Sequence, residues 1–307
     1  MADALPTYDA HALIPLAIIL ILGLKRDSYR SEGERSEWRY SDMLCVFLLA
    51  SAITFLTVPS LSEQPPVVRH ELLALVQAAA LLSGVLFLGR RRALPLSTLG
   101  LRPRHFSYHL VWSLMIATAV GSLDGLLALW LVATSVPPCE WLTVPGGPLS
   151  GSTLADIYQL PAFPFVVAVV HYLDLMFLTP LLEEILFRAV PYAPLSRKVG
   201  YKAGAILSSV MWTSLHDWTI VRILLTFGLG LLYAYLFHRT RSLIPSLTLH
   251  TSTNAVASLG GLIQGLERSA AVVLPLVIVA MSAFLLCRAM VVRLRPDSAA
   301  EWLPLSG

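Results

Sequence analysis

The chain predicts an all-α fold: a polytopic membrane bundle of about eight or nine transmembrane helices enclosing an intramembrane polar cavity. Three observations predict it. Of the 307 residues, 56% are hydrophobic and only 13% are charged, where soluble domains carry roughly 25% charged residues. Apolar runs of spanning length recur from one end to the other. Basic residues alternate between successive loops, as cytoplasmic retention of positive charge demands.

Crossing a bilayer takes about 17–25 mostly apolar residues. Nine stretches are candidates, at roughly 10–24, 43–61, 70–89, 108–134, 162–190, 202–217, 221–238, 243–264 and 270–292. The first and sixth are short, which suits tilted or re-entrant segments. No basic region precedes the first run, and its basic residues follow it, so a retained helix is expected in place of a cleaved signal peptide. Loop 25–42 holds Lys25, Arg26, Arg30, Arg35 and Arg39, and loop 90–107 holds Arg90, Arg91, Arg92, Arg102 and Arg104. Arg197 and Lys198 mark loop 191–201, with Lys202 directly after it; Arg239 and Arg241 mark the next basic loop, and Arg293 and Arg295 the tail. The loops between them are nearly free of Lys and Arg. An external N-terminus and a cytoplasmic C-terminus follow, in a pattern that fits a bacterial plasma membrane, with the endoplasmic reticulum as the alternative placement.

Loop 135–161 has no Lys or Arg and is rich in Pro and Gly (Pro137, Pro138, Pro145, Gly146, Gly147, Pro148). It reads as an irregular external loop. The organisation expected is a set of N-terminal transmembrane helices of unassigned role over 1–150, a catalytic core over 151–292 and a short cytoplasmic tail over 293–307. Cys45, Cys139 and Cys287 are isolated, and form neither a metal pattern nor a disulfide framework. The basic stretch 90–104 serves topology, or touches anionic headgroups. Without a basic surface interleaved with aromatics, nucleic acid is not an expected partner.

Against this greasy background one run stands out: Leu181-Leu182-Glu183-Glu184-Ile185-Leu186-Phe187-Arg188. A central acid or base costs about 2.5–3.5 kcal/mol on insertion scales, and such residues usually mark function. Residues four apart share a helix face, so Glu184 and Arg188 are placed to pair, with the acid on the favourable N-terminal side. Glu183 is rotated away from that pair and faces something else. Two further polar elements lie on later spans. Trp212-Thr213-Ser214-Leu215-His216 ends the sixth, and His250 and Asn254, four apart, share a face of the eighth. Taken alone, His216 also fits a satisfied structural histidine, and His250 with Asn254 fits polar glue between helices. Together, one carboxylate outside the ion pair, one histidine and a His/Asn donor pair are what water activation against a carbonyl requires.

The ordered set Glu183-Glu184-x-x-x-Arg188, aromatic-x-x-x-His216 and His250-x-x-x-Asn254 resembles the CAAX prenyl endopeptidase type II and bacteriocin-processing family, also called the Abi family. The resemblance covers roughly residues 160–265. It implies a glutamic intramembrane protease. Glu183 is then the general base for the attacking water, and His216 assists it. His250 and Asn254 form the oxyanion hole, and Glu184 and Arg188 support the site. The second motif usually begins with Phe. Here Trp212 holds that position, a change expected to alter shape more than chemistry.

The implied partners are the lipid bilayer and a peptide or protein substrate, lipidated or not: a CAAX tail, a leader peptide or another membrane substrate. The chain itself ends Leu303-Pro304-Leu305-Ser306-Gly307, not in a CAAX sequence. No cofactor is expected. Zinc is the rival, because Glu183 and two histidines make three ligands, yet no His-Glu-x-x-His helix is present. Two other functions compete: a transporter or proton-coupled carrier using the same acids, and a non-catalytic immunity or scaffold protein. His171 and Asp174, three apart, suit an intrahelical structural pair or a proton path. Asp124 lies between Gly121 and Gly125 without an assigned role. Asp217 orients His216 or ends its helix, and Trp218, Tyr233 and Tyr235 suit interfacial belts.

Overall fold

The computed structural model describes residues 38, 40–57, 59–61, 63–94, 96–101, 106–133, 164–190, 192–216, 220–264 and 270–294. Every regular element among them is helical. The helices are α1 (Tyr40–Thr57), α2 (Pro66–Arg91), α3 (Phe106–Ala133), α4 (Pro164–Leu173), α5 (Thr179–Glu184), α6 (Tyr192–Val199), α7 (Tyr201–Thr213), α8 (Ile220–Thr240), α9 (Ile244–Gln264) and α10 (Ala270–Leu294). A π-helical turn, Asp174–Leu178, joins α4 to α5, and a second, Ile185–Ala189, continues α5, so that one rod carries the paired glutamates.

Eight of the nine apolar stretches carry helices. The first, 10–24, lies outside the described residues, as do loop 135–161, Cys139, Asp217, Trp218 and the tail beyond residue 294; of Asp124 only the helical backbone is described. Cys45 and Cys287 are free thiols. The sixth stretch ends early. α7 has 13 residues, about 20 Å at roughly 1.5 Å per residue, which falls short of a hydrocarbon core about 30 Å thick. Loop 191–201 also needs correcting, because much of it is α6. Tyr192 and Leu195, three apart, are wholly buried and seat this helix against the core, while its charges disguise it in sequence.

Among the described residues three helices are long and apolar enough to cross a membrane: Glu71–Arg91, Phe165–Ala189 and Ile223–Thr240. Leu56, Phe87, Phe165, Leu224 and Leu286 are 64–75% exposed. So many large apolar side chains turned outward suit acyl chains, not water. The protein is an integral membrane protein.

The rod is held from two sides. α2 packs on α4, the first π turn and α5, while α9 packs on the first π turn and α5. α7 lies between α6 and α8, α8 packs on α9, and α3 packs on α9 and α10. Polar links join separate helices. Arg92 pairs with Asp42 at 2.9 Å, and the Ser113 and Thr248 hydroxyls share a hydrogen bond of 2.9 Å. His171 does not pair with Asp174. Its Nδ1 lies 2.7 Å from Glu71 Oε1 on α2, and Thr179 Oγ1 donates to Asp174. The pairing is between helices because His171 faces α2, where Glu71 is equally buried.

The joint between α6 and α7 requires glycine at 204. A Cβ there would lie 2.9 Å from Ser196 N and 3.0 Å from Ser196 Cα, both backbone atoms that cannot swing aside. Alanine gains about 1 kcal/mol in helix propensity over glycine, but overpacking typically costs 1–3 kcal/mol. The clash therefore wins: Gly204→Ala is expected to lower the thermal midpoint of the detergent-purified protein, and an unchanged or raised midpoint would contradict this packing.

Candidate active site

The paired glutamates occupy different environments. Glu184 and Arg188 are both wholly buried, and Glu184 Oε1 lies 3.0 Å from Arg188 Nη1, one helical turn on. The guanidinium is sandwiched, 4.9 Å from the Trp212 ring centroid and 5.1 Å from that of Tyr233. Its Nη2 reaches the Gly230 carbonyl at 3.5 Å. Glu183 is instead 20% exposed and turns from that pair to two other helices. Trp212 Nε1 donates to Glu183 Oε2 at 2.5 Å, and His250 Nε2 lies 3.5 Å from the same oxygen.

His250 therefore sits between the two acids. Its Nδ1–H donates to Glu184 Oε1 at 3.1 Å, since a carboxylate accepts. Tyr233 stacks on the imidazole at 5.0 Å and 24°, and donates or accepts a hydrogen bond with Thr253 at 2.9 Å. Packing thus fixes the plane of the imidazole and the acid fixes its rotation.

His216 lies just beyond α7. Its Nδ1 is 2.9 Å from the Trp212 carbonyl, which can only accept, so Nδ1 carries the proton of that bond. Its ring packs edge-on to Trp212 at 4.6 Å. One indole thus touches Glu183, His216 and His250, and the three sequence motifs meet around it. α7 ends at Thr213, and in the turn that follows His216 N donates to Thr213 O at 3.0 Å.

Asn254 is turned elsewhere than its pairing with His250 implied. Its Nδ2 donates to the Leu175 carbonyl at 2.9 Å. The cause lies in the rod. Thr179 N–H, the regular partner of Leu175 O, bonds Asp174 O in the π turn, and the next residue, Pro180, has no N–H. Asn254 fills the vacancy. The same thing happens one turn past the acids. Pro191 has no N–H to offer Phe187 O, and Ser208 Oγ donates to that carbonyl at 2.6 Å.

Residues 165–256 match the family model for type II CAAX prenyl endopeptidases, described as Rce1-like. This Rce1-like segment contains Glu183, Glu184, Arg188, His216, His250 and Asn254, and all the contacts just described among them. Comparison with curated proteins and with solved structures gives no match.

Within the segment two aromatic residues contribute more than sequence reasoning assigned. Trp212 is a hydrogen-bond donor to the exposed acid, not a change of shape alone. Tyr233 is not interfacial. It is wholly buried beneath His250, while Tyr235 is 55% exposed. Residues two apart on a helix point in nearly opposite directions, so the helical phase of α8 separates the two tyrosines. Glu71 was the other omission, an acid inside an apolar helix whose partner lies a hundred positions away. Among the described residues no group of three or more His, Cys, Asp or Glu side chains is arranged to hold a metal.

Stranding one member of a buried ion pair costs about 3–5 kcal/mol, whereas removing both charges costs less. Arg188→Met should therefore destabilise the protein strongly, and Glu184→Gln combined with Arg188→Met should recover part of the loss. Thermal unfolding of the two variants in detergent checks this. A double variant less stable than Arg188→Met would contradict it.

Proposed function

We propose that the chain is an intramembrane endopeptidase of the glutamic type. It hydrolyses a peptide bond of a membrane-associated peptide or protein near the cytoplasmic face. One observation carries the reading: Arg188 neutralises Glu184, while Glu183, next in sequence, is partly open and lies 3.5 Å from His250. Two adjacent acids in one helix thus divide into a structural member and a chemical one. The Rce1-like match over the same residues supports it.

In the proposed reaction, the water oxygen attacks the scissile carbonyl carbon and Glu183 takes the water proton. The Nε2 lone pair of His216 aligns the water. Negative charge developing on the carbonyl oxygen is met by His250 and Asn254. His250 would act through Nε2, since its Nδ1 is committed to Glu184. Collapse of the tetrahedral intermediate breaks the C–N bond, and the proton held by Glu183 passes to the leaving amine.

The reading assigns catalysis to the second half of the chain, about 151–292, and leaves the first 150 residues without a chemical role. The bundle sits with its N-terminus outside and its C-terminus in the cytoplasm, and the bond to be cut approaches from the cytoplasmic side. The substrate is a CAAX-type tail or a leader-type peptide, and the bilayer holds enzyme and substrate together.

General-base catalysis typically supplies 10²–10⁴-fold. Glu183→Ala and Glu183→Gln should therefore lower processing by about that factor while the protein still inserts and folds. Comparative peptidomics of cells carrying wild type or Glu183→Gln reads this and names the substrate. Wild-type cleavage by either variant would sink the assignment. The proposed chemistry needs no metal, so turnover should survive exhaustive chelation. Activity lost to chelation and restored only by zinc would replace this mechanism with a metal-dependent one.

A further inference from the structure

We infer that Trp212 is a positioning residue: its indole N–H fixes one oxygen of the Glu183 carboxylate, so that the other is presented to the water. The inference rests on the reading of Glu183 as the general base, and it adds a residue-specific device to that reading.

The observations converge on the indole. Trp212 Nε1 donates to Glu183 Oε2 at 2.5 Å, while no described residue hydrogen-bonds to Glu183 Oε1. A carboxylate on a partly exposed side chain exchanges its oxygens by rotation about its terminal bond. A charge-assisted hydrogen bond to one oxygen stops that exchange. The anchor must itself be rigid, and Trp212 is: only 2% of it is exposed. The Arg188 guanidinium lies over its ring at 4.9 Å, Tyr233 packs at 5.4 Å, and His250 meets it edge-on at 5.3 Å. Behind it, a Cβ at Gly230 would come within 3.1 Å of Trp212 Cε3, so α8 lies directly against the ring.

The same residue also governs the second catalytic group. Its main-chain carbonyl takes the Nδ1–H of His216 at 2.9 Å. Trp212 thus sets the carboxylate through its side chain and the imidazole through its backbone. Only the first depends on residue type. Phenylalanine would keep the ring stack and the carbonyl but lose the donor.

The test uses the full chain in lipid nanodiscs and two substitutions. Trp212→Phe removes the N–H and trims the ring. Trp212→benzothienylalanine, introduced as a non-canonical residue, replaces N–H by sulfur and keeps the bicyclic shape. With a quenched farnesylated CAAX peptide as probe, both should lower kcat about 10- to 100-fold, in line with the effect of roughly ångström-scale misplacement, and leave KM within about twofold. A spectroscopic arm needs no turnover. The Trp212 indole ¹⁵N–H resonance, assigned by its loss in Trp212→Phe, should move in Glu183→Ala to the position of an indole without a charged acceptor.

Wild-type kcat in the benzothienylalanine variant would reduce Trp212 to a wall of the site and overturn the inference. So would an indole resonance indifferent to Glu183→Ala. Either result with an inactive Glu183→Ala leaves the protease reading standing. A fully active Glu183→Ala sinks the general-base assignment of Glu183 and this inference with it, even if the indole resonance moves.

Discussion

A guanidinium with no exposed surface organises this molecule. Burying an unpaired ion costs several kcal/mol even after relaxation, so Arg188 can exist only if several elements supply partners at once. Glu184 comes from the same rod, the Trp212 ring from α7, and the Tyr233 ring and Gly230 carbonyl from α8. Each partner is itself committed. Trp212 holds Glu183, Tyr233 stacks on His250, and Glu184 accepts from His250. Satisfying one charge therefore fixes the residues that surround Glu183. The structural half of the Glu-Glu-x-x-x-Arg motif is what gives the other half its geometry.

The sequence carried the parts of this arrangement that depend on local spacing. Glu184 and Arg188 are one helical turn apart, and that interval predicts their pairing whatever the neighbours do. Three polar elements on otherwise apolar segments also predict convergence, because a bilayer offers no other environment for them. Contacts between distant segments were less legible. His171 had Asp174 at a plausible interval and chose Glu71 on another helix. Nothing in local spacing ranks those two acids, since the choice depends on which face of α4 meets α2. α6 was hidden for a different reason: its two core residues flank Pro194 and are followed by Arg197 and Lys198, so a short amphipathic helix resembled a basic loop.

The π turns were beyond spacing arguments altogether. Each inserts an extra residue per turn and so resets the phase of everything downstream. Proline accounts for where carbonyls are left open. Pro180 and Pro191 bracket the acids, and each removes a backbone donor from the rod. A freed carbonyl in a bilayer is costly unless something replaces the missing bond. Asn254 from α9 and Ser208 from α7 do so. The two cross-links tie the rod to the same two helices that bring His250 and Trp212.

This carbonyl accounting changes how Asn254 should be understood. An amide that only stabilised an oxyanion would need some other restraint to aim it. Here one N–H is already spent on Leu175, whose carbonyl is open because of a proline three residues ahead of Glu183. The irregularity that orients the rod thus also orients the amide facing it. With one N–H held, the plane of the amide group is fixed. Donor and base in the proposed reaction would then be registered to each other through the backbone of a single helix. A donor held in this way needs no reorganisation as charge develops, and that is the condition under which such hydrogen bonds contribute most to catalysis.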